Sequence, residues 1–309
     1  PKSASFGVIQ NLSWNLVSHM PHLMALQKAG TTMSRYYVVD SLCCPSRSAI
    51  FTGQYPHDDG VFTNAGNDGG YFAFNKHGDE QKSFALALHK AGYRTALMGK
   101  YLNQYQPAYP KPPGWDEWDA AGNGYGEFDY NLNENGRLQH YGKAPQDYLT
   151  DVLAAKASSF IDSSAASGRP FMLEVATFAP HAPYTPAPRY AHADQQLTAP
   201  KTPAYDRLPT NPPPWLKGHP HLSALDKRNI TTTFRKRVED DLSVDDMIGK
   251  LRDALWAKGL DRNTYFVFSS DNGFHLGEYT LSSGKQTAFE TDIRVPLIVT
   301  GPGVPAGRD

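Results

Sequence analysis

The chain has 309 residues, 40% of them apolar, enough to bury the core of one large domain or of two modest ones. Its 30 Lys and Arg against 31 Asp and Glu leave a formal charge of −1, which excludes a global field steering it toward nucleic acid or an anionic membrane. Two cysteines exclude a disulfide-stapled scaffold and a multi-cysteine zinc module, and no apolar run is long enough to span a bilayer.

In chain order, the first ten residues, PKSASFGVIQ, lack the basic start and long apolar middle of a signal peptide, which leaves the compartment open. Helical patterns follow at 21–30 and 83–92, then a strand at 94–99. A Gly-, Asn- and aromatic-rich connection runs from Asn103 to Tyr141 and precedes a helix at 147–168 and a strand at 171–178. A proline-rich connection, Ala179 to Pro220, leads to a helix at 238–259 and strands at 264–270 and 295–301. This alternation predicts an α/β domain with a large, mainly parallel sheet flanked by helices. Both long connections begin after a strand, at the end of an open sheet where ligands bind.

Both cysteines stand side by side in SLCCPSRSAIFTG, residues 41–53. One peptide link holds them too close for an ordinary disulfide, so Cys43 and Cys44 call for another chemistry. Other segments are ambiguous when read alone. Lys100, after a strand, is a solvated lysine or an anion-binding point charge. His181, between prolines, is a turn histidine or a proton donor working near neutral pH. Asp271-Asn272-Gly273 is a turn or a pair of oxygen ligands for a hard cation. The acid pairs of DDLSVDDMIGKL (240–251) and the charge run FRKRVEDD (234–241) read as solvated helix faces, and His219 and His221 lack a partner at ligand-like spacing.

Cys43, Pro45, Ser46, Arg47, Thr52 and Gly53 match the signature C-x-P-S-R-x-x-x-x-T-G at every fixed position. Average residue usage puts a chance match in a chain this long on the order of one in a million. The chain therefore resembles the type I sulfatases of the alkaline-phosphatase-like superfamily, and within them the glucosamine-6-sulfatase and heparan-sulfatase group. The resemblance implies one sulfatase catalytic domain over residues 1–309, stopping before the small C-terminal domain usual in the family. It implies conversion of Cys43 to formylglycine by a formylglycine-generating enzyme, with Cys44 a bystander. A hydrated aldehyde carries two hydroxyls on one carbon, one to attack sulfur and one to expel sulfate, so a hard step is split into two easier ones.

By the same resemblance Arg47 supports the nucleophile, Lys100, His181 and Lys285 bind sulfate and move protons, and His275 and Asn103 contact substrate. Asp271 and Asn272, with position 43, hold Ca²⁺, or Mg²⁺ as the alternative. The family completes this site with two aspartates after the first strand; here FGVIQNLSW places Gln10 and Asn11 there, with two negative charges fewer. The expected substrate is a sulfate ester on an N-acetylglucosamine-type sugar of a sulfated glycan, or an aryl sulfate, in an exported protein. A phosphonate or phosphodiester hydrolase, and a glycan-binding homologue without turnover, are the alternatives.

Overall fold

The computed structural model describes residues 3–9 as backbone and residues 12–309 in full. Eleven strands are formed among them: β1 (Ser3–Ile9), β2 (Thr31–Thr32), β3 (Arg94–Lys100), β4 (Glu117–Ala121), β5 (Tyr130–Glu134), β6 (Arg137–Tyr141), β7 (Phe171–Ala176), β8 (Thr264–Ser270), β9 (His275–Leu276), β10 (Ser283–Gly284) and β11 (Leu297–Thr300). Nine build one sheet in the order β2-β11-β8-β1-β7-β3-β4-β5-β6, and β9 pairs with β10 beside it. The inner five, β8-β1-β7-β3-β4, are parallel, and antiparallel strands close both edges.

The inner strands are apolar because both faces are covered. Side chains alternate across β7: Phe171, Leu173 and Val175 enter one core with the helices Leu149–Ser167 and Ala224–Ala257, while Met172 enters a second core. That second core is aromatic, with Phe51 of the helix Cys43–Thr52 packed among Phe74, Tyr101, Tyr105 and Trp118. Register brings the strand ends level, pairing Ile9 with Ser270, Val8 and Gly99 with Ala176, and Lys100 with Ala121. The connections after β1, β3, β7 and β8 thus leave one edge of the sheet together, where a parallel α/β sheet opens its ligand crevice.

Three readings are corrected. The connection from Asn103 to Tyr141 contains β4, β5 and β6, with Asn135 and Gly136 at positive φ forming the tight turn of a hairpin. The helix expected at 238–259 begins at Ala224, where Ser223 and Asp226 form a capping box. Its acidic segment does not simply face water: Asp240, Asp241, Asp245 and Arg237 are all buried, with Asp245 accepting the His22 and Leu23 amides at the start of the helix Pro21–Ala29.

Candidate active site

Cys43 is the first residue of the helix Cys43–Thr52 and is 1% exposed. The rest of the signature shapes this helix. Pro45 lies in its first turn, Thr52 bonds back to the Ser48 carbonyl at 2.9 Å, and Gly53 closes it at φ 70° with its amide on the Ala49 carbonyl. The thiol sits at the positive end of the helix dipole, where a negative charge is favoured. Cys44 packs into the aromatic core, and burial pushes its thiol up to about 12. Both cysteines are free.

Three cationic or polar groups converge on the Cys43 sulfur. The Lys285 Nζ lies 2.7 Å from it and 3.2 Å from the Asn272 Oδ1. Lys100, the last residue of β3, is buried, its ammonium 5.5 Å from the centre of the Tyr125 ring. His181 contributes a hydrogen bond. Its Nδ1 lies 2.9 Å from the Ala182 carbonyl, which only accepts, so Nε2 remains for the sulfur. Burial raises the Cys43 thiol pKa and Asp271 adds to that, yet Lys100, Lys285 and His181 outweigh both and bring it down to about 6. In turn burial opposes the Lys100 charge, but Cys43, Tyr125 and Asp271 hold its pKa above the ordinary lysine value. The thiolate stands where an oxyanion would form, so these groups stabilise developing negative charge there.

Arg47, one helical turn after Cys43, is buried rather than a surface cation. It donates to the Tyr101 and Lys100 carbonyls at 2.5 and 2.6 Å, which fixes the end of β3 against the helix. Its Nη2 is 3.4 Å from Glu174 and its Nη1 3.9 Å from the Asp271 Oδ2. Burial lifts the Glu174 carboxyl to about 7 against the pull of Arg47.

Asp271 and Asn272 follow β8 and are fully buried. Gly273 is required next to them: a Cβ there would stand 2.2 Å from the Thr291 carbonyl. Their carboxylate and amide oxygens, beside a sulfur that becomes an oxygen site on conversion, suit a hard divalent cation in kind. Among the described residues no group of three or more His, Cys, Asp or Glu could hold a metal alone, and Gln10 and Asn11 lie outside the described residues.

Asn103 donates to the Tyr125 hydroxyl at 3.4 Å. His275 is held on β9 by Asp292, with both carboxylate oxygens 3.0 Å from its Nδ1, and Thr287 binds the same carboxylate. Of the expected residues, Cys43, Lys100, His181, Lys285, Arg47, Asp271 and Asn272 form one connected cluster. Asn103 joins through Tyr125, and His275 is anchored on Asp292. His219 and His221 bond Thr280 and Asp206 instead.

Glu174, Tyr125 and Asp292 were not foreseen. Glu174 carries a signal, a lone acid inside an apolar strand whose alternation puts it on the Met172 face toward Arg47. Tyr125 meets Lys100, Asn103 and His181, its ring 4.7 Å from that of His181, and nothing local in the sequence marks it.

Residues 5–308 match the family described as Sulfatase. The chain is 37% identical over 285 residues to human (Homo sapiens) N-acetylglucosamine-6-sulfatase, covering 89% of this chain and 51% of that protein. It is 35% identical over 304 residues to the extracellular sulfatase SULF-1 homolog of Drosophila melanogaster, covering 97% of this chain and 27% of that protein. It thus spans about half the length of the first relative and about a quarter of the second. The solved structure of BT4656 in complex with its substrate D-glucosamine-2-N,6-O-disulfate superposes with a TM-score of 0.80 at 24% identity, over 99% of this chain and 72% of that one, a likeness of fold. With the signature, the cation-ringed Cys43 and a family match from end to end, the chain belongs to the sulfatase family.

Proposed function

We propose that this chain is the catalytic domain, over residues 1–309, of a sulfuric ester hydrolase acting on a sulfated amino sugar of a glycan. The observation that carries this reading is the buried Cys43 at the start of its helix, with the Lys285 Nζ 2.7 Å from its sulfur and with Lys100 and His181 acting on it. The similarity to proteins named N-acetylglucosamine-6-sulfatase and extracellular sulfatase supports the substrate class and an exported protein.

Oxidised to formylglycine by a dedicated enzyme, position 43 supplies a hydrated aldehyde whose one hydroxyl displaces the alcohol from sulfur and whose other, on losing its proton, expels sulfate and regenerates the aldehyde. Lys100 and Lys285 bind sulfate oxygens as buried point charges. Lys285, touching the nucleophile position, and His181 Nε2 are placed to remove the attacking proton and to protonate the leaving alcohol. Arg47 locks the helix to β3 and sets the spacing between Cys43 and Lys100. Asp271 and Asn272 would hold a divalent cation, Ca²⁺ or Mg²⁺, which would supply positive charge toward a bound sulfate. His275 and Asn103 contact the sugar in this reading, as the family resemblance implies.

The test measures sulfate release from N-acetylglucosamine 6-sulfate and an aryl sulfate beside phosphate release from an aryl phosphate, with and without Ca²⁺, on protein shown by peptide mass to carry formylglycine. Cation-dependent sulfate release exceeding phosphate release is expected. Formylglycine-bearing, Ca²⁺-supplied protein that releases no sulfate, or releases phosphate faster, overturns the reading.

A further inference from the structure

The charge run 234–241 does not simply dissolve into solvent. Arg235 is half-buried, its Nε donating to the Leu197 carbonyl, and it stands where two cavities of about 630 and 490 Å³ meet, sharing Thr232 as well. Both volumes fall within the range of about 300–1,000 Å³ typical of ligand sites. The larger cavity is lined by Lys236 and Glu239 together with Pro183 and Tyr184. The Tyr184 amide bonds the carbonyl of His181, so this cavity opens within three residues of the proton-transfer histidine. The smaller one is lined by Lys201, Lys227 and Arg228.

Along the helix Ala224–Ala257, Arg228, Thr232, Arg235 and Glu239 recur at i, i+4, i+7 and i+11 and so share one face. Five cations line the groove against one carboxylate, Glu239, and Gln195 already donates to that carboxylate at 2.9 Å. Lys227 is paired with Asp206, whereas Lys201, Arg228 and Lys236 are exposed and make no ion pair among the described residues. On a chain with a formal charge of −1 this is a strong local concentration of one sign, in concave form, leading away from the candidate site.

We infer that this groove is a subsite for the continuing polyanionic glycan chain, taking sulfate or carboxylate groups on sugars next to the unit that reacts at Cys43. The inference rests on the sulfated-glycan reading for its register but makes a separate statement about binding. Arg235, oriented by its bond to Leu197, forms charge-assisted hydrogen bonds to an anionic group at the junction of the cavities. Lys201, Arg228 and Lys236 add a screened, salt-sensitive attraction on either side.

The test uses the triple variant Lys201→Glu, Arg228→Glu, Lys236→Glu, whose parent side chains are exposed and hold no structural bond. Calorimetric binding of a sulfated heparin-type octasaccharide, read at several salt concentrations, is compared between this variant and the parent chain. The parent is expected to bind with a clear salt dependence. The variant is expected to bind about tenfold or more weakly with a flatter dependence, while keeping the melting temperature and the kcat/KM for a monosaccharide sulfate. Equal octasaccharide binding by both proteins overturns the inference, as does a parent that binds the octasaccharide no better than the monosaccharide. A single-stranded DNA of matched charge binding as tightly as the octasaccharide overturns it in favour of unspecific polyanion attraction. Salt-sensitive octasaccharide binding lost in the triple variant, with no sulfate released by formylglycine-bearing protein, upholds the groove and refutes only the catalytic reading.

Discussion

At the scale of single residues, the site is a device for stabilising negative charge at position 43, and unconverted protein reports on it directly. Alkylation of Cys43 by a small iodoacetamide is expected to rise with a half-point near pH 6, far below an ordinary thiol. Cys44, pushed up to about 12, stays unlabelled in the folded chain. Lys100→Met removes one cation and moves the Cys43 half-point up by about one pH unit or more. The Lys100 ammonium donates to no hydrogen-bond acceptor among the described residues, so methionine leaves no orphaned partner and the melting temperature is expected to hold or rise. A half-point near the ordinary thiol value in the parent protein contradicts the electrostatic picture. Cys43→Ser supplies one hydroxyl without a second on the same carbon. It is expected to release at most one alcohol per chain and to remain sulfated, visible by peptide mass; sustained turnover by this variant overturns the proposed chemistry.

At the scale of elements, glycine positions separate packing from conformation. Gly53 adopts φ 70° with nothing within 4 Å of an added Cβ, so Gly53→Ala carries only the left-handed penalty, about 1–2 kcal/mol in urea unfolding, with kcat/KM preserved. Gly99 has φ 101° and an added Cβ would lie 2.0 Å from the Ala176 carbonyl of the neighbouring strand. Gly99→Ala therefore forces β3 from β7 and is expected to abolish soluble folded protein, checked by expression and circular dichroism. Such contacts explain what the sequence made legible. The signature, the strand-Lys100 junction and Asp271-Asn272-Gly273 are local strings whose chemistry is carried by adjacent residues, and the inner strands announce themselves by continuous apolar runs. Glu174 and Tyr125 owe their places to neighbours far along the chain, Glu174 to Arg47 at a separation of 127 residues. The helix Ala224–Ala257 misled for a related reason. Its acids have helical spacing on several faces, and only packing against the Pro21–Ala29 and Leu149–Ser167 helices decides which of them leave water.

At the scale of the whole molecule, the near-neutral formal charge conceals an excess of acids over cations among the buried residues, where Arg47, Lys100 and Arg237 are outnumbered by carboxyl side chains. Burial lifts Glu174 and Glu127 to about 7 and Asp241 to about 8, and Asp240, close to Glu127 and Asp241, is raised as well. These carboxyls hold protons in the folded chain at pH values where the unfolded chain has released them, so folded protein is more positive near neutrality than −1 suggests. The linkage has a definite sign. A carboxyl with a raised folded pKa contributes stability fully present below its ordinary value near 4, and that stability is lost as pH rises through the folded values near 7 to 8. The carboxylates held low by partners, Asp206 on Lys227 and Glu134 on Tyr141 among them, have reached their full contribution above about pH 5 and do not offset the loss. Stability is therefore expected to fall between pH 5 and pH 8, seen as a declining urea midpoint. Asp241 sharpens the test: its carboxyl makes no hydrogen bond among the described residues and faces Arg237 and Asp245 on its own helix. Asp241→Asn cannot ionise, so it is expected to gain stability over the parent at pH 8 and to flatten the decline, while differing little at pH 5. A parent midpoint that rises across this range, or an Asn variant that declines as steeply as the parent, shows that these acids are ionised in the folded chain and that burial is not the dominant influence on them.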